Sequence, residues 1–247
     1  MKQSLNLAVS SGGTAVFIDD VRILTNRSKG TTGAFIAEAA LRRGHNVDYV
    51  HAGNARVPFE KDLRVNVGND IEEELERIRS VIEEIRALPG SLKKHPVQDF
   101  FAYRDRLLQL VGRPDTDVAI LAMAASDYGP KKVEGKISSD GNGLDLRLHA
   151  LPKIITEVKQ TRGDIFLVGF KLLTEDADRE KLLRKAFTSM QRDGQDLAVA
   201  NIVDEHFTPK ETYILTPQQG VMEVAKRKDL PDMLLDEIEK RVEQAHN

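Results

Sequence analysis

Short apolar runs alternate with helical patterns along almost the whole chain. Leu5 to Val9 predicts a buried strand, and Ala34 to Arg43, built of Ala, Ile, Glu and Leu, predicts the helix after it. Asn46 to His51 reads as a second strand and Asp117 to Ala125 as a third, the most apolar of all. Ile165 to Phe170 and Asp196 to Ala200 follow as strands, with helices over Pro152 to Lys159, Glu175 to Arg192 and Leu230 to Val242. Alternation of this kind predicts an α/β fold: a doubly wound, mostly parallel, Rossmann-like sheet with helices on both faces. Tyr213 to Leu215 and Gly220 to Val224 read as a late antiparallel strand pair at one edge. No internal repeat interrupts the pattern, so residues 1–247 are taken as a single domain.

Residues 69–112 break the alternation and read as a helical insertion. Ile71, Leu75, Ile78, Ile82 and Ile85 recur at spacings of four and three among Glu and Arg, an amphipathic helix with Glu73 and Arg77 placed to pair across one turn. Leu88-Pro89-Gly90 stops it, and a second helix is expected over Val97 to Val111. So narrow a seam serves either a coiled-coil contact or packing on the parent sheet, and packing is the commoner outcome. Lys131 to Gly143, rich in Lys, Gly, Ser and Asp, reads as a mobile loop ended by an alternating strand, Leu144 to Leu148. A lysine there suits a lid; a solvated hairpin is the plainer reading.

Composition narrows the function. With 40% hydrophobic and 30% charged residues and a formal charge of −3, the chain has no electrostatic case for nucleic acid or an anionic membrane. The absence of cysteine removes disulfides, thiolate metal sites and thiol catalysis together. Met1 to Leu7 lacks the layout of a secretory signal and no apolar run nears membrane-spanning length, so a cytoplasmic location is expected. Six scattered histidines without i, i+4 pairing give no zinc site.

The chemistry concentrates after the first strand. Ser10 to Thr14 and Asp20 to Gly33 form a glycine-bearing loop leading into a helix, the layout in which backbone N–H groups and a helix start face an anion. Arg22, Asn26, Ser28 and Lys29 add groups that bind carboxylate or phosphate oxygens. The loop is neither Gly-x-Gly-x-x-Gly nor a P-loop. Gly12 and Gly13, and Gly30 and Gly33 before the helix, allow close approach or positive φ, though such glycines are often purely structural. Asn26 alone reads equally as a turn residue, and Asp127, at the carboxyl end of the third strand, as a helix cap.

Six ordered blocks then add up to a resemblance. Ser11-Gly12-Gly13-Thr14, Ile18-Asp19 with Val21-Arg22 and Thr25-Asn26, Ala124-Ala125-Ser126-Asp127-Tyr128, Lys136-Ile137-Ser138-Ser139, Pro152-Lys153-Ile154-Ile155, and Gly169-Phe170-Lys171-Leu172 with Ala200-Asn201 resemble phosphopantothenoylcysteine synthetase in its stand-alone bacterial form. That family joins phosphopantothenate to cysteine in coenzyme A biosynthesis. The resemblance covers nearly the whole chain. Residues 69–112 depart from it, as does Lys29, where the family usually has Ser or Thr.

The resemblance implies an acyl-nucleotide route. Asn26 is expected at the acyl-intermediate site, with Arg22 gripping an oxyanion and Ser28 and Gly30 on the substrate. Gly12, Gly13, Ala124, Ala125, Asp127, Pro152, Lys153, Ile154, Ile155, Phe170 and Lys185 are expected to border the nucleotide. Lys136, the matching flap lysine, is expected to meet the triphosphate and then the leaving phosphate. Mg²⁺ would travel on the triphosphate rather than in a protein ligand set. The blocks look bacterial, which favours CTP over ATP; a homodimer is expected, with Ile71 to Ile85 a candidate contributor to its interface. The rival readings are an NAD(P)-binding reductase, disfavoured by the missing glycine fingerprint and by Tyr49-Val50-His51 where an acid is needed, and a non-catalytic nucleotide-binding homologue.

Overall fold

The computed structural model describes residues 4–174, 178–206, 208–218 and 220–246. In chain order its elements are β1 (Asn6–Ser11), β2 (Ala15–Phe17), β3 (Ile23–Thr25), α1 (Thr31–Arg42), β4 (Asn46–Ala52), α2 (Ile71–Arg86), β5 (Leu92–Val97), α3 (Phe100–Val111), β6 (Val118–Leu121), β7 (Tyr128–Pro130) and β8 (Leu148–Ala150). Then come α4 (Ile154–Thr161), β9 (Phe166–Thr174), α5 (Arg179–Asp193), β10 (Leu197–Val203), β11 (Pro209–Leu215), β12 (Val221–Glu223) and α6 (Leu230–His246). The main sheet runs β12-β11-β10-β9-β6-β1-β4-β5. From β5 to β10 every pairing is parallel, whereas β11 and β12 add antiparallel at the other edge.

Alternation along the strands separates two faces. Val9, Tyr49, Ile120, Val168 and Val199 pack under α1 and α6, with Ile36, Leu41, Leu234 and Leu235. Ala8, Val50, Ala119 and Leu167 pack under α3 and α4, with Phe100, Tyr103, Leu107 and Val158. Helix α5 covers β10 and β11 through Leu182, Ala186 and Met190. Strands covered on both sides read as continuous apolar runs, and this is why the sequence shows them.

Residues 69–112 are not an insertion of helices alone. Leu92–Val97 is a sheet strand, paired in parallel with β4 from Val47↔Leu92 to Ala52↔Val97. Its Lys93, Lys94 and Pro96 are exposed, as befits an outer edge guarded by charge and proline, so no apolar alternation announces it. Helix α2 also departs from the packing reading: Ile71 is 73% and Leu75 58% exposed, and only Ile85 at its end joins the core. Arg77 pairs with Glu74 at 2.6 Å rather than with Glu73, because it also reaches the carbonyls of Asp62 and Arg64 while Glu74 accepts from the N–H of Asn66. The strand expected at Leu144 to Leu148 begins only at Leu148, pairing with β7; Leu144 and Leu146 lie exposed ahead of it. The start of the helix expected from Glu175 lies outside the described residues, and α5 is seen from Arg179, capped by Asp178. The first helix begins at Thr31, three residues earlier than the apolar pattern shows.

Candidate functional site

The carboxyl ends of β1 and β6 are laced together. Gly13 forms a parallel bridge with Ala124; the Ala124 N–H donates to the Gly12 carbonyl (2.8 Å) and the Thr14 N–H to the Ala124 carbonyl (3.1 Å). The Ser126 N–H donates to the Thr14 hydroxyl (2.8 Å). Onto this seam the β2–β3 hairpin folds back and delivers Asn26. The Asn26 carboxamide donates to the Ala124 carbonyl at 2.7 Å and makes a longer contact, 3.4 Å, with the Ser126 hydroxyl. Gly13 makes the approach possible: a Cβ there would stand 2.7 Å from the Asn26 carbonyl oxygen.

Asp127 follows on the same loop, 63% exposed, and is ion-paired with Lys153 at the start of α4. Pro152 and Lys153 are exposed beside it, and Ala125 is exposed on the loop itself. Ile154 differs from the expectation. At 3% exposure its side chain is core under α4, with Ile155 packed against the same cluster, so a nucleotide bordering this segment would meet it through Pro152 and Lys153 instead. Phe170 packs against the α1–α6 face, across the sheet from Ile155, so the two do not line one wall. Lys185 is exposed on α5, and among the described residues no hydrogen bond or ion pair links its side chain to the Asn26–Asp127 group.

A second polar feature adjoins the first. Gly30 caps α1 with φ +72°, no side chain caps the helix, and its first turn holds no acid. The N–H groups of Thr31, Thr32 and Gly33 therefore have no protein acceptor among the described residues, the arrangement that suits an anion. Ser28 lies at the turn, where its hydroxyl accepts from the Gly30 N–H (3.4 Å), and the Ser11 hydroxyl holds the Gly30 carbonyl from below (2.7 Å). Arg227, from the turn before α6, reaches the Thr32 hydroxyl at 3.5 Å. No sequence motif points to Arg227, because its partner lies 195 positions away. Gly12 has φ +102°, and a Cβ at Gly33 would stand 2.6 Å from the Ser11 hydroxyl, so the backbone at both positions needs glycine.

Arg22 is partly spoken for. Its Nη1 donates to Asp19 (2.5 Å) and to the Ile137 carbonyl (3.2 Å), leaving Nη2 and Nε without partners among the described residues. Burial would raise the Asp19 carboxyl, but hydrogen bonds from Val21, Ile137 and Arg22 outweigh it and bring the group from 3.8 to about 2. Lys136 is exposed, and its ammonium has no partner among the described residues. Also among the described residues, no three His, Asp or Glu side chains gather as metal ligands, and no helix is long and apolar enough to cross a membrane.

Six parallel strands in the order β5-β4-β1-β6-β9-β10, with polar loops joined at their carboxyl edge, define a doubly wound α/β protein. The chain belongs to the family of the DNA/pantothenate metabolism flavoprotein C-terminal domain, whose profile matches residues 3–87 and 104–242; the gap spans β5. It is 32% identical over 235 residues to the coenzyme A biosynthesis bifunctional protein CoaBC of Thermococcus kodakarensis, covering 94% of this chain but 50% of that one. The chain thus spans about half the length of that relative. It is 27% identical over 269 residues to human phosphopantothenate–cysteine ligase, covering 94% of this chain and 85% of the human one. Among solved structures, the flavoprotein of that name from Streptococcus pneumoniae superposes with a TM-score of 0.73 at 24% identity, covering 99% of this chain and 100% of that one. A Cab2 mutant in complex with phosphopantothenate-cysteine gives 0.75 at 22% identity, covering 98% and 88%. Both confirm the fold.

Proposed function

We propose that this chain is a nucleoside-triphosphate-dependent phosphopantothenate–cysteine ligase. The observation that carries the reading is the meeting of Asn26 with the Ala124–Asp127 loop, beside an uncapped helix start, in a family whose relatives include a ligase of that name. A carboxylate does not acylate an amine until its oxygen becomes part of a leaving group. In the first step the substrate carboxylate attacks the α-phosphorus and pyrophosphate departs, leaving an acyl-nucleotide. In the second the cysteine amine attacks the acyl carbon, the nucleoside monophosphate leaves with the C–O electron pair, and the amine proton passes to solvent.

The chain's own part is positioning and charge dispersal. Asn26 spends one carboxamide hydrogen on Ala124. The other makes only the 3.4 Å contact with Ser126 and is the donor an acyl oxygen takes over. The triphosphate is assigned to the start of α1, where free N–H groups converge with Arg227. The exposed ammonium of Lys136 is assigned to the same phosphates, and Arg22 offers Nη2 and Nε to an oxyanion. The acid at this loop, Asp127, is engaged by Lys153, and one carboxylate fits a Mg²⁺ ion carried by triphosphate oxygens better than a protein-held one. Such an ion neutralises charge on the phosphates.

We favour CTP over ATP on the bacterial character of the sequence blocks. We also read the chain as a homodimer. The β2–β3 and β7–β8 arms expose Val21, Ile23, Leu24, Tyr128 and Leu148, apolar surface that a second copy covers. Incubation with phosphopantothenate, cysteine and CTP, followed by mass detection of the amide, tests the reading; no amide with either CTP or ATP contradicts it.

A further inference from the structure

Two adjacent acids in the turn between β2 and β3 act on a distant part of the chain. Asp19 is fully buried, and its carboxylate takes the N–H groups of Val21 (2.8 Å), Arg22 (2.7 Å) and Ile137 (3.1 Å) as well as Arg22 Nη1 (2.5 Å). Asp20, its neighbour at the surface, accepts from the Gly135 N–H (2.9 Å) and pairs with Lys132 (2.6 Å), while its own N–H donates to the Gly135 carbonyl (3.0 Å). The Val133 N–H donates to the Ile18 carbonyl (2.9 Å), and Lys132 lies 5.7 Å from the centre of the Phe17 ring. The root of the Lys131–Gly143 loop is therefore zipped to the hairpin turn, and the last two anchors, Gly135 and Ile137, flank Lys136 directly.

We propose that Asp19 and Asp20 are positioning residues for Lys136, holding its loop to the hairpin that also carries Arg22 and Asn26. The inference rests on the ligase reading, in which Lys136 meets the phosphates. The geometry makes the lysine's backbone a fixed mount and leaves its side chain to move. Its ammonium then samples the site rather than all the solvent around a free loop, which reduces the entropy lost on reaching the transition state. One carboxylate fixes Arg22 Nη1 and the Ile137 N–H together, so the two cations are set relative to each other. Asp19 also explains itself in these terms: a buried carboxylate is retained only where its lone pairs are filled, and one of the groups filling them belongs to the loop.

The test uses Asp20→Ala, at an exposed position that the core does not need, alongside Asp19→Asn. Brief trypsin treatment of the folded protein reads the tether directly. Asp20→Ala is expected to be cut after Lys136 about tenfold faster than wild type, since opening of the loop sets the rate. In the ligase assay kcat is expected to fall roughly tenfold with the KM for phosphopantothenate unchanged. Combined with Lys136→Ala, Asp20→Ala is expected to cost nothing further, because it acts through that lysine. Unchanged cleavage, an altered KM with normal kcat, or additive losses in the double variant would each overturn the proposal. Cleavage is read whether or not the chain proves to be a ligase, so failure of the tether and failure of the ligase reading are told apart.

Discussion

The carboxamide nitrogen of Asn26 donates to the carbonyl of Ala124, 98 positions further along the chain, at 2.7 Å. That bond ties a side chain into the seam already made by the backbones of Gly12 to Thr14 and Ala124, and it orients the amide that the ligase reading places on the acyl group. Asn26→Ala removes both the bond and the amide. Loss of about a hundredfold in turnover is expected, the scale of one oxyanion donor, with about 1 kcal/mol of stability lost from a half-buried hydrogen bond. Steady-state kinetics and thermal melting check it; a folded variant with full activity contradicts the role.

Lys136 is exposed, between two residues anchored to the hairpin that carries Asn26. Lys136→Ala is expected to form the acyl-nucleotide but to complete the amide slowly, since the leaving phosphate of the second step loses its cation. Quenching after one turnover and weighing the products by mass spectrometry should show the intermediate accumulating. Unchanged turnover counts against the assignment.

Arg227 meets Thr32 across 195 positions, at the uncapped start of α1. Arg227→Ala is expected to raise the KM for the triphosphate about tenfold while leaving kcat within roughly twofold, as removal of a binding contact used equally in ground and transition states does. A fall in kcat with KM unmoved would reassign this arginine to the chemistry.

Asp19 and Glu74 both sit below the ordinary carboxylate range, at about 2, Asp19 through hydrogen bonds that outweigh its burial and Glu74 through Arg77 and the Asn66 N–H. Folded values below unfolded ones of 3.8 and 4.5 contribute stability that is complete above about pH 5 and is lost as pH falls towards 2. The melting temperature is therefore expected to drop across that window, and less steeply in Asp19→Asn, provided that the variant folds. An equal slope in wild type and variant would show that Asp19 is not among the groups responsible.

What could be read from the residues follows burial. Val118–Leu121 and Leu197–Val203 are covered on both faces and show themselves as unbroken apolar runs. Leu92–Val97 lies at the sheet's edge with lysines and a proline facing out, and its identity as a strand depends on β4 alone. The β2–β3 hairpin is hidden for another reason: its strands are three residues long and β3 is wholly exposed. At the candidate site, Asp127 is legible as a residue beyond the end of an apolar strand, whereas Asn26, beyond the hidden β3, is picked out only by the resemblance. The burial of Ile154 under α4 and the sheet face taken by Phe170 are not legible, since a motif does not tell which way a side chain points. The Asp19–Ile137 bond, spanning 118 positions, has no local signal at all.

The central claim is that an acid and a triphosphate meet where the loops after β1 and β6 join. Pyrophosphate release measures this most directly, with CTP and ATP side by side and phosphopantothenate or cysteine omitted in turn. The account predicts release that requires phosphopantothenate, is faster with CTP, and proceeds through one turnover without cysteine. Release indifferent to phosphopantothenate, or none with either triphosphate, would contradict it.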